Sequence, residues 1–225
     1  THLIRPENEL YQYSAIHSLN ILTPFGLRIK NTSPELIIAM EKERSAGNIL
    51  REGKVLTERP IIAIHPFSLW RYKEWPIGNY IKLVNHIGSR YGVSIVITGS
   101  MEERGRVAEI VKKSKIDVYN LAGRTSIGEL AGVLKKCSLL IGIDSAPAHI
   151  AAAVGIPTIT IFGPSSPVSW APRGKQHNII YKDLPCVPCR QKGCSNSKVS
   201  RCLDELSTEE VIPVIEKKLD EIVSD

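Results

Sequence analysis

The sequence predicts an α/β fold in which a Rossmann-like parallel sheet carries helices on both faces. Three observations support this prediction. After Pro60, short apolar runs alternate regularly with amphipathic helical segments. The runs are almost continuously apolar, as expected for strands that are buried on both faces of a sheet. Polar side chains follow successive runs, at the strand ends where open α/β sheets bind ligands.

The predicted elements alternate in strict order along the chain. The strands are predicted at Ile61–His65, Val93–Thr98, Val118–Leu121, Leu139–Ile143 and Pro157–Phe162. The helices are predicted at Ile77–Tyr91, Glu102–Ser114, Ile127–Lys136 and Ala148–Val154. A capping box from Ser207 to Glu210 predicts the start of a closing helix. This alternation implies right-handed crossovers and one sheet of about five or six strands.

The first sixty residues contain no clear strand. Residues 8–22 and 34–50 are predicted to be helices, the second with Ser33 as N-cap and Pro34 at the first helical position. Because the chain begins with Thr1, we expect residues 1–58 to be a helical connector from an N-terminal domain that this chain lacks. Residues 59–225 are then the Rossmann-like domain, with a cysteine-rich loop at 183–203.

Composition narrows the classes of protein to which the chain belongs. The 225 residues carry a formal charge of +6, which favours an anionic ligand, nucleic acid or a lipid surface. The basic residues are scattered, so charge alone discriminates poorly among these partners. No apolar run approaches the ~18 residues of a membrane span. Five cysteines without a secretory signal indicate a reducing, cytoplasmic setting.

The loop after the first strand carries two groups suited to a diphosphate. Ser68 offers a hydroxyl, and Lys73 offers a mobile positive charge on a flexible stem. The alternative is that Trp75 and Pro76 only hold the next helix in place and that Lys73 is solvated. The sequence alone leaves both interpretations open.

Two further loops are less specific. Glu103 could accept the hydroxyls of a ribose, but it stands three residues after Ser100, so a capping box explains it equally well. Small residues between Leu121 and Thr125 would let a flat base lie against the backbone, although a tight turn needs them as well. Both loops are therefore weak indicators of a ligand.

The most informative segment is the turn from Asp144 to His149. It joins a buried strand to a small-residue helix, where free N–H groups and the positive helix end favour a phosphate. The alternative is that Asp144 and Ser145 merely cap that helix. A hydrolytic triad is disfavoured, because G-x-S-x-G is absent and Asp144 is adjacent to Ser145. Neither G-x-G-x-x-G nor a Walker A sequence occurs.

In this order, the loops resemble the C-terminal half of glycosyltransferase family 9, the lipopolysaccharide heptosyltransferases. The segments that carry the resemblance are HPFSLWRYKEWP, LAGRTSIGELAGVL and DSAPAHIAAAVGIPTITIFGPSSPVSWAP. The last segment is highly specific, whereas the others are weak individually but collinear. The resemblance implies a GT-B fold, in which two Rossmann-like domains face each other across a cleft, and a helical connector before this domain.

The resemblance also implies a role for each matching residue in binding a nucleotide-sugar donor, typically ADP-heptose. Ser68 and Lys73 would contact the diphosphate, and Glu103, with Glu102 as a competitor, the ribose. The donor base would contact the backbone from Leu121 to Thr125. Asp144 would hold the sugar, and the phosphates would be surrounded by Ser145, Ala146 and His149. Family members often have glycine where this chain has Ala146, so close approach of a phosphate there is in doubt.

The expected reaction is an inverting displacement that requires no metal, since the sequence has no Asp-x-Asp pair to hold a divalent ion. The resemblance places the general base in the N-terminal domain, so the catalytic residues are not assigned here and this chain should lack a complete active site. It also implies a lipid-linked saccharide acceptor, which the N-terminal domain would bind, and a cytoplasmic location with peripheral association at the inner membrane. Nucleic acid is not an expected partner.

Four cysteines form a C-x₂-C-x₄-C-x₇-C pattern in the basic loop: Cys186, Cys189, Cys194 and Cys202. Four thiols at this spacing suit a structural zinc ion. The alternatives are a disulfide, which a cytoplasmic setting disfavours, and reduced thiols. Cys137 lies apart from this loop and is predicted to be buried.

Two other functions remain open from sequence. One is a different sugar-nucleotide enzyme of the same fold class, such as a UDP-sugar epimerase. The other is a non-catalytic module that binds a nucleotide or nucleic acid, which only the +6 charge supports. Relative affinities for ADP-sugars, UDP-sugars and RNA would distinguish these alternatives.

Overall fold

The computed structural model describes residues 11–27 and 32–224, and within them six parallel strands form one sheet. The strands are β1 Ile61–His65, β2 Ser94–Ile97, β3 Val118–Asn120, β4 Leu139–Ile143, β5 Thr158–Phe162 and β6 His177–Tyr181. Their order is β3-β2-β1-β4-β5-β6, and every neighbouring pair is parallel. The predicted parallel α/β sheet is therefore confirmed, and β6 is a strand that the sequence pattern did not locate.

Along the chain, the described helices lie before, between and after the strands. They are α1 Ser14–Leu19, α2 Met40–Glu52, α3 Ile77–Arg90, α4 Arg104–Lys113, α5 Ile127–Lys135, α6 Ala146–Ala153, α7 Pro167–Trp170, α8 Arg201–Asp204 and α9 Thr208–Ser224. Short 3₁₀ turns cover Asn20–Phe25, Arg71–Lys73 and Cys194–Asn196. None of the described helices is both long and apolar enough to cross a membrane.

Side chains alternate between the two faces of the sheet and bury a core on each. Ile62 and Ile64 of β1 pack in a core that α3, α4 and α9 cover, with Leu83, Ile110 and Ile215 among its buried members. Ile61 and Ala63 face the other way. They pack in a second core that includes residues of α2, α5 and α6: Ala46, Leu50, Val133, Leu134 and Ala151. Helices on both faces are thus explained by the strands β1, β2, β4 and β5, which are buried at every position.

Helix α2 packs directly against α5. A Cβ added at Gly132 would lie 2.8 Å from the Cβ of Ala46, so glycine allows the two helices to approach closely. Lys135 also bonds to Glu43 at 2.6 Å across this contact. The second half of the predicted connector is therefore an integral layer of the fold, and the division at residues 58 and 59 stays a prediction.

Several predicted boundaries are wrong at the N-terminal side. The helix predicted over residues 34–50 begins at Met40, and Ser33 and Pro34 are not its cap. The preceding segment instead extends along the fold, where the Leu36 N–H donates to the Ala153 carbonyl at 3.0 Å. Of the helix predicted over 8–22, residues 8–10 lie outside the described residues, and the described part is α1 followed by a 3₁₀ turn.

The predicted capping boxes agree with the structure better than the predicted N-terminal helix boundaries do. At α5, the Ser126 side chain accepts from the Glu129 N–H while the Glu129 carboxylate accepts from the Ser126 N–H. Near the start of α9, the Ser207 N–H donates to Glu210 at 3.0 Å. Helix α6 begins at Ala146, two residues before the predicted start, so its N-terminus comes immediately after Ser145.

Candidate functional site

The centre of the sheet is the point at which the strand order reverses. Strands β1 and β4 are neighbours there, and His65 pairs with Gly142 near their carboxyl ends. The connections from these two strands run to opposite sides of the sheet, which leaves a crevice between them. A ligand site is therefore expected where the loops after β1 and β4 face each other.

A pocket of about 340 Å³ occupies this crevice. Six of the nine predicted donor-binding residues line it: Ser68, Lys73, Glu103, Asp144, Ser145 and Ala146. These residues come from the loops after three different strands, so only the folded sheet brings them together. Leu121, Thr125 and His149 are not among its lining residues.

An ion pair in the pocket joins Lys73 to Asp144. The Lys73 Nζ lies 2.6 Å from Asp144 Oδ2, and only 22% of the lysine side chain and 6% of the aspartate side chain are exposed. Partial burial strengthens such an ion pair, because less solvent screens it. Lys73 is therefore not a freely solvated side chain, and Asp144 holds it over the pocket.

Buried contacts on either side hold Lys73 in place. Trp75 is 1% exposed and its indole N–H donates to the Leu206 carbonyl at 2.7 Å. The Ser200 hydroxyl donates to the Tyr72 carbonyl at 2.5 Å. Trp75 thus does anchor this segment, as one interpretation of the sequence held. The anchoring of this segment by Trp75 is therefore compatible with a polar contact of Lys73 in the pocket.

The pair Glu74 and Arg106 is a second support that sequence analysis missed. Arg106 Nη1 donates to Glu74 Oε1 at 3.0 Å, and its Nη2 contacts the other carboxylate oxygen. The guanidinium also lies 3.8 Å from the centre of the Phe67 ring. Glu74 in turn accepts the Ser68 N–H at 3.1 Å. The loop between β1 and α3 is therefore braced from α4, which the local sequence does not indicate.

Ser68 forms a tight local turn. Its hydroxyl donates to the Trp70 carbonyl at 2.9 Å and accepts from the Trp70 N–H at 3.0 Å. In this conformation the Ser68 hydroxyl is both a donor and an acceptor within the turn. A ligand contact from the Ser68 hydroxyl requires it to exchange one of these bonds.

Glu103 lies at the other wall of the pocket. Its carboxylate accepts the Ser100 N–H at 2.7 Å, which is half of the predicted capping box. Glu103 itself is the N-cap of α4, and no side chain completes the box. The carboxylate is thus held at the pocket, where its second oxygen is available to a hydroxyl donor.

The segment from Leu121 to Thr125 lies beside this wall rather than in the pocket. The Leu121 side chain is fully buried in the second core, so only its backbone is available to a ligand. The Gly123 N–H donates to the Gly99 carbonyl at 2.9 Å, which joins the turns after β2 and β3. Gly123 has a φ of +71°, and a Cβ there would lie 2.9 Å from the Met101 sulfur. Glycine is therefore required for this close approach.

The N-terminus of α6 borders the pocket through Ser145, Ala146 and Pro147. Ser145 is the N-cap residue, yet its side chain makes no capping bond and instead donates to the Ile143 carbonyl at 3.3 Å. The capping interpretation of Ser145 is therefore wrong. Without a capping side chain, the positive end of the helix remains available to an anion.

His149 lies in the second layer around the pocket. Burial is the main cause that lowers its pKa, while the charge of Asp144 raises the pKa and that of Lys73 lowers it. Both charges act on the imidazole, so it is close to the Lys73–Asp144 pair without lining the pocket. A lowered pKa keeps the imidazole neutral at neutral pH.

His65 is a pocket residue that sequence analysis did not single out. Its Nδ1 lies 2.9 Å from the Thr98 hydroxyl, and burial lowers its pKa to about 4. A histidine at the carboxyl end of the first strand was the available signal. The neutral imidazole forms part of the pocket wall together with Phe67 and Trp70.

The cysteine-rich loop does not support the expected zinc site. Cys186, Cys189, Cys194 and Cys202 line one cavity of about 320 Å³, and all are free thiols. However, no group of three or more histidine, cysteine, aspartate or glutamate side chains in residues 11–27 and 32–224 is placed to hold a metal ion. Cys137 is buried as predicted, which raises the pKa of its thiol to about 12.

Comparison with known proteins identifies the family to which this chain belongs. The sequence model of glycosyltransferase family 9 (heptosyltransferase) matches residues 10–200. A similar curated protein is lipooligosaccharide heptosyltransferase 2 of Campylobacter jejuni, which is 31% identical over 85% of this chain and 60% of its own length. The chain thus spans about three fifths of that relative.

Solved structures show the same fold. A family 9 glycosyltransferase from Veillonella parvula superposes with a TM-score of 0.81 at 22% identity, over 98% of this chain and 62% of that one. The ADP-heptose lipopolysaccharide heptosyltransferase II of E. coli gives 0.68 at 22% identity, over 84% of this chain and 54% of that one. With the family model matching most of its residues, this chain belongs to glycosyltransferase family 9.

Proposed function

We propose that this chain is the donor-binding part of an inverting heptosyltransferase that uses ADP-heptose and a lipopolysaccharide-core acceptor. In this proposal residues 59–225 form the donor domain, and residues 1–58 connect it to the domain that carries the general base. ADP-heptose and lipopolysaccharide appear in the name of the E. coli neighbour above, and the charges of the pocket suit the diphosphate and the sugar of ADP-heptose. The setting we propose is the cytoplasmic face of the inner membrane, where an enzyme with reduced thiols meets a lipid-linked acceptor.

The observation that carries the proposal is the Lys73–Asp144 pair at the switch point of the sheet. Lys73 provides a positive charge for the diphosphate, and the adjacent N-terminus of α6 provides further positive potential. Asp144 provides a carboxylate for sugar hydroxyls on the same side of the pocket. A diphosphate and a sugar need these two opposite charges within a few ångströms of each other.

The remaining contacts follow the shape of the site. In this proposal Glu103 accepts the ribose hydroxyls, and the backbone from Leu121 to Thr125 contacts the base. Glu103 lines the pocket, and the turn at Gly123 is bonded to Gly99, which supports these roles. Ser68 bonds to a phosphate oxygen after its turn opens. Neutral His149 lies close enough to Asp144 and Lys73 to complete the polar surroundings of the phosphates.

The proposed reaction moves one sugar. An acceptor hydroxyl oxygen attacks the anomeric carbon of the donor, and the bond from that carbon to the β-phosphate oxygen breaks. The electron pair of that bond leaves with ADP, and the acceptor proton goes to the general base. Negative charge grows on the β-phosphate, where Lys73 and the α6 N-terminus stabilise it without a metal ion.

Calorimetric titration of this chain with ADP and with UDP tests the proposal. We expect ADP to bind more tightly, and Lys73→Ala to weaken ADP binding by about tenfold or more, because a charge-assisted bond is lost. Lys112→Ala, a change at an exposed lysine on α4, is the matched control and should leave the affinity unchanged. Excess EDTA should not affect ADP binding to this chain or turnover by the full-length enzyme.

Two outcomes would redirect the assignment. Preferential binding of UDP would favour a UDP-sugar enzyme such as an epimerase. Salt-sensitive binding of RNA that exceeds nucleotide binding would favour a nucleic-acid module.

A further inference from the structure

A buried carboxylate, that of Glu74, is attached to the wall of the donor pocket that carries the proposed phosphate contacts. Glu74 follows Lys73 in the chain, and its Oε1 accepts the Ser68 N–H at 3.1 Å. Lys73 and Ser68 both line the pocket. Only 7% of the Glu74 side chain is exposed, so water screens its charge poorly. An unpaired negative charge in this position would repel the phosphates of a donor.

Arg106 of α4 binds both oxygens of this carboxylate. Its Nη1 donates to Glu74 Oε1 at 3.0 Å, and its Nη2 contacts Glu74 Oε2, which is the bidentate geometry of a strong ion pair. The Glu74 hydrogen bond is the main cause that raises the pKa of Arg106, so the guanidinium remains charged. The guanidinium also lies 3.8 Å from the ring centre of Phe67, a residue that lines the pocket. Arg106 itself is not among the lining residues, so it acts on a ligand through the residues that it contacts.

The two carboxylates around Lys73 differ in their partners. Asp144 contacts the Lys73 ammonium at 2.6 Å and lines the pocket, where sugar hydroxyls can reach it. Glu74 does not line the pocket, and its salt bridge is with Arg106. Loss of Arg106 would leave a buried carboxylate without its cation, which is unfavourable and draws other cations towards it. The diphosphate would then meet a second negative charge beside the lysine that has to bind it.

We propose that Arg106 is a positioning residue for the donor diphosphate, a role that rests on the proposed function of the donor pocket. By neutralising Glu74, Arg106 keeps this carboxylate from repelling the phosphates and from competing for Lys73. The role is electrostatic, so it depends on the charge of Glu74 and on the charge of the ligand. A purely structural support would depend on neither.

Calorimetric titration of variants of this chain with ADP and with adenosine tests the proposal. Arg106→Gln should weaken ADP binding by about tenfold, because it exposes the phosphates to an unpaired carboxylate. Adenosine affinity should not change, since adenosine carries no phosphate. An Arg106→Gln/Glu74→Gln double variant should recover ADP affinity to within about threefold of the unaltered chain, because the uncompensated charge is gone. Arg44→Gln, at an exposed arginine on α2, is the matched control for loss of one positive charge.

A support that acts only by shape predicts the opposite pattern. Loss of Arg106 would then weaken ADP and adenosine alike, and the double variant would bind no better than Arg106→Gln. That pattern would overturn the proposal.

Arg106→Lys and Glu74→Gln decide the question if Arg106→Gln does not fold, as judged by circular dichroism. Arg106→Lys keeps the positive charge and should bind ADP within about threefold of the unaltered chain. Glu74→Gln removes the negative charge and should be no weaker than that. A tenfold loss of ADP affinity in both variants would overturn the proposal, since it would show that the geometry of the pair matters and its charge does not.

Inorganic pyrophosphate separates this proposal from the assignment of the donor. If pyrophosphate affinity follows the same order of variants while ADP does not bind, the role of Arg106 is supported and the proposed donor pocket fails. If ADP binds and Arg106→Gln leaves its affinity unchanged, the role of Arg106 is refuted and the donor pocket stands. If the unaltered chain binds neither ligand, both proposals are wrong.

Discussion

Two loops meet above the carboxyl edge of this sheet, and they are held by different means. The loop between β1 and α3 is fixed by long-range contacts: Trp75 to Leu206, Glu74 to Arg106 and Lys73 to Asp144. The cysteine-rich loop instead has four non-glycine residues with positive φ, from Arg190 to Lys198. The first loop is therefore fixed mainly by side-chain contacts to distant elements, whereas the second contains strained backbone that its surroundings must hold.

The difference indicates which loop carries precise chemistry. A charge that must meet a diphosphate has to be held within a fraction of an ångström, and buried contacts provide that precision. The predictions below test this division, beginning with the largest expected effect.

Trp75→Ala should destabilise the protein by about 3–5 kcal/mol, because it leaves a large cavity in a fully packed core. It also removes the donor to the Leu206 carbonyl. Urea unfolding followed by circular dichroism measures the change. Trp170→Ala, at a half-exposed indole, is the control and should cost far less. Equal losses in both variants would show that the β1–α3 loop is not anchored as described.

Lys73→Ala should cost about 2–4 kcal/mol in transition-state stabilisation, since the developing charge on the leaving phosphate loses its cation. The measurement is kcat/KM of the full-length enzyme with ADP-heptose. Lys112→Ala provides the baseline for removal of one surface charge. An unchanged rate would refute the role of Lys73, whatever its contact with Asp144.

Acidification should destabilise the fold through His65. The buried imidazole has a pKa of about 4, whereas the unfolded chain has the ordinary value of about 6.5. Between these values the unfolded state binds a proton that the folded state does not, so stability falls as pH decreases, by up to about 3 kcal/mol.

Unfolding experiments between about pH 7 and pH 5 separate the histidines from the carboxylates, most of which titrate at lower pH. His65→Gln should flatten the profile, and an NMR titration should find the imidazole neutral at pH 5. The lowered pKa values of His149 and His177 act in the same direction and remain in the variant. A His65 that titrates near 6.5 would contradict its buried environment.

Cys186→Ser should change stability by less than about 0.5 kcal/mol, since the thiol is exposed and free. Differential scanning calorimetry is sufficient for this comparison. Cys202→Ser, at a buried thiol, should be more costly and serves as the contrast. A large loss at Cys186 would indicate that the four thiols share a bound metal or a bond that the described structure does not contain.

Sequence patterns predicted the features that depend on local chemistry. The apolar runs located five of the six strands, and the serine–glutamate spacing at Ser126 predicted a capping box that the structure contains. The same patterns gave wrong predictions where a contact between residues far apart in the sequence determines the local structure. Pro34 has the local signature of a helix start, yet the Leu36 N–H is engaged by Ala153 in the extended segment.

The candidate site shows the same limit. Its residues were individually visible after successive strands, and topology explains why six of them meet in one pocket. The Glu74–Arg106 brace joins residues 32 positions apart, so it depends on the packing of α4 beside the loop. The groove between Leu69–Tyr72 and residues 190–198 depends on two loops more than a hundred residues apart, and no local pattern predicts that they meet.

In the proposed reaction, the last step that the contact between Lys73 and Asp144 affects is the release of ADP. Once the sugar has been transferred, the carboxylate no longer has hydroxyls to hold, and it competes with ADP for the ammonium 2.6 Å away. Under the proposed function, this competition weakens the binding of ADP and speeds its release. Without a ligand, the Asp144 carboxylate neutralises the Lys73 ammonium. The diphosphate of each new donor must therefore displace Asp144 from Lys73 before it binds.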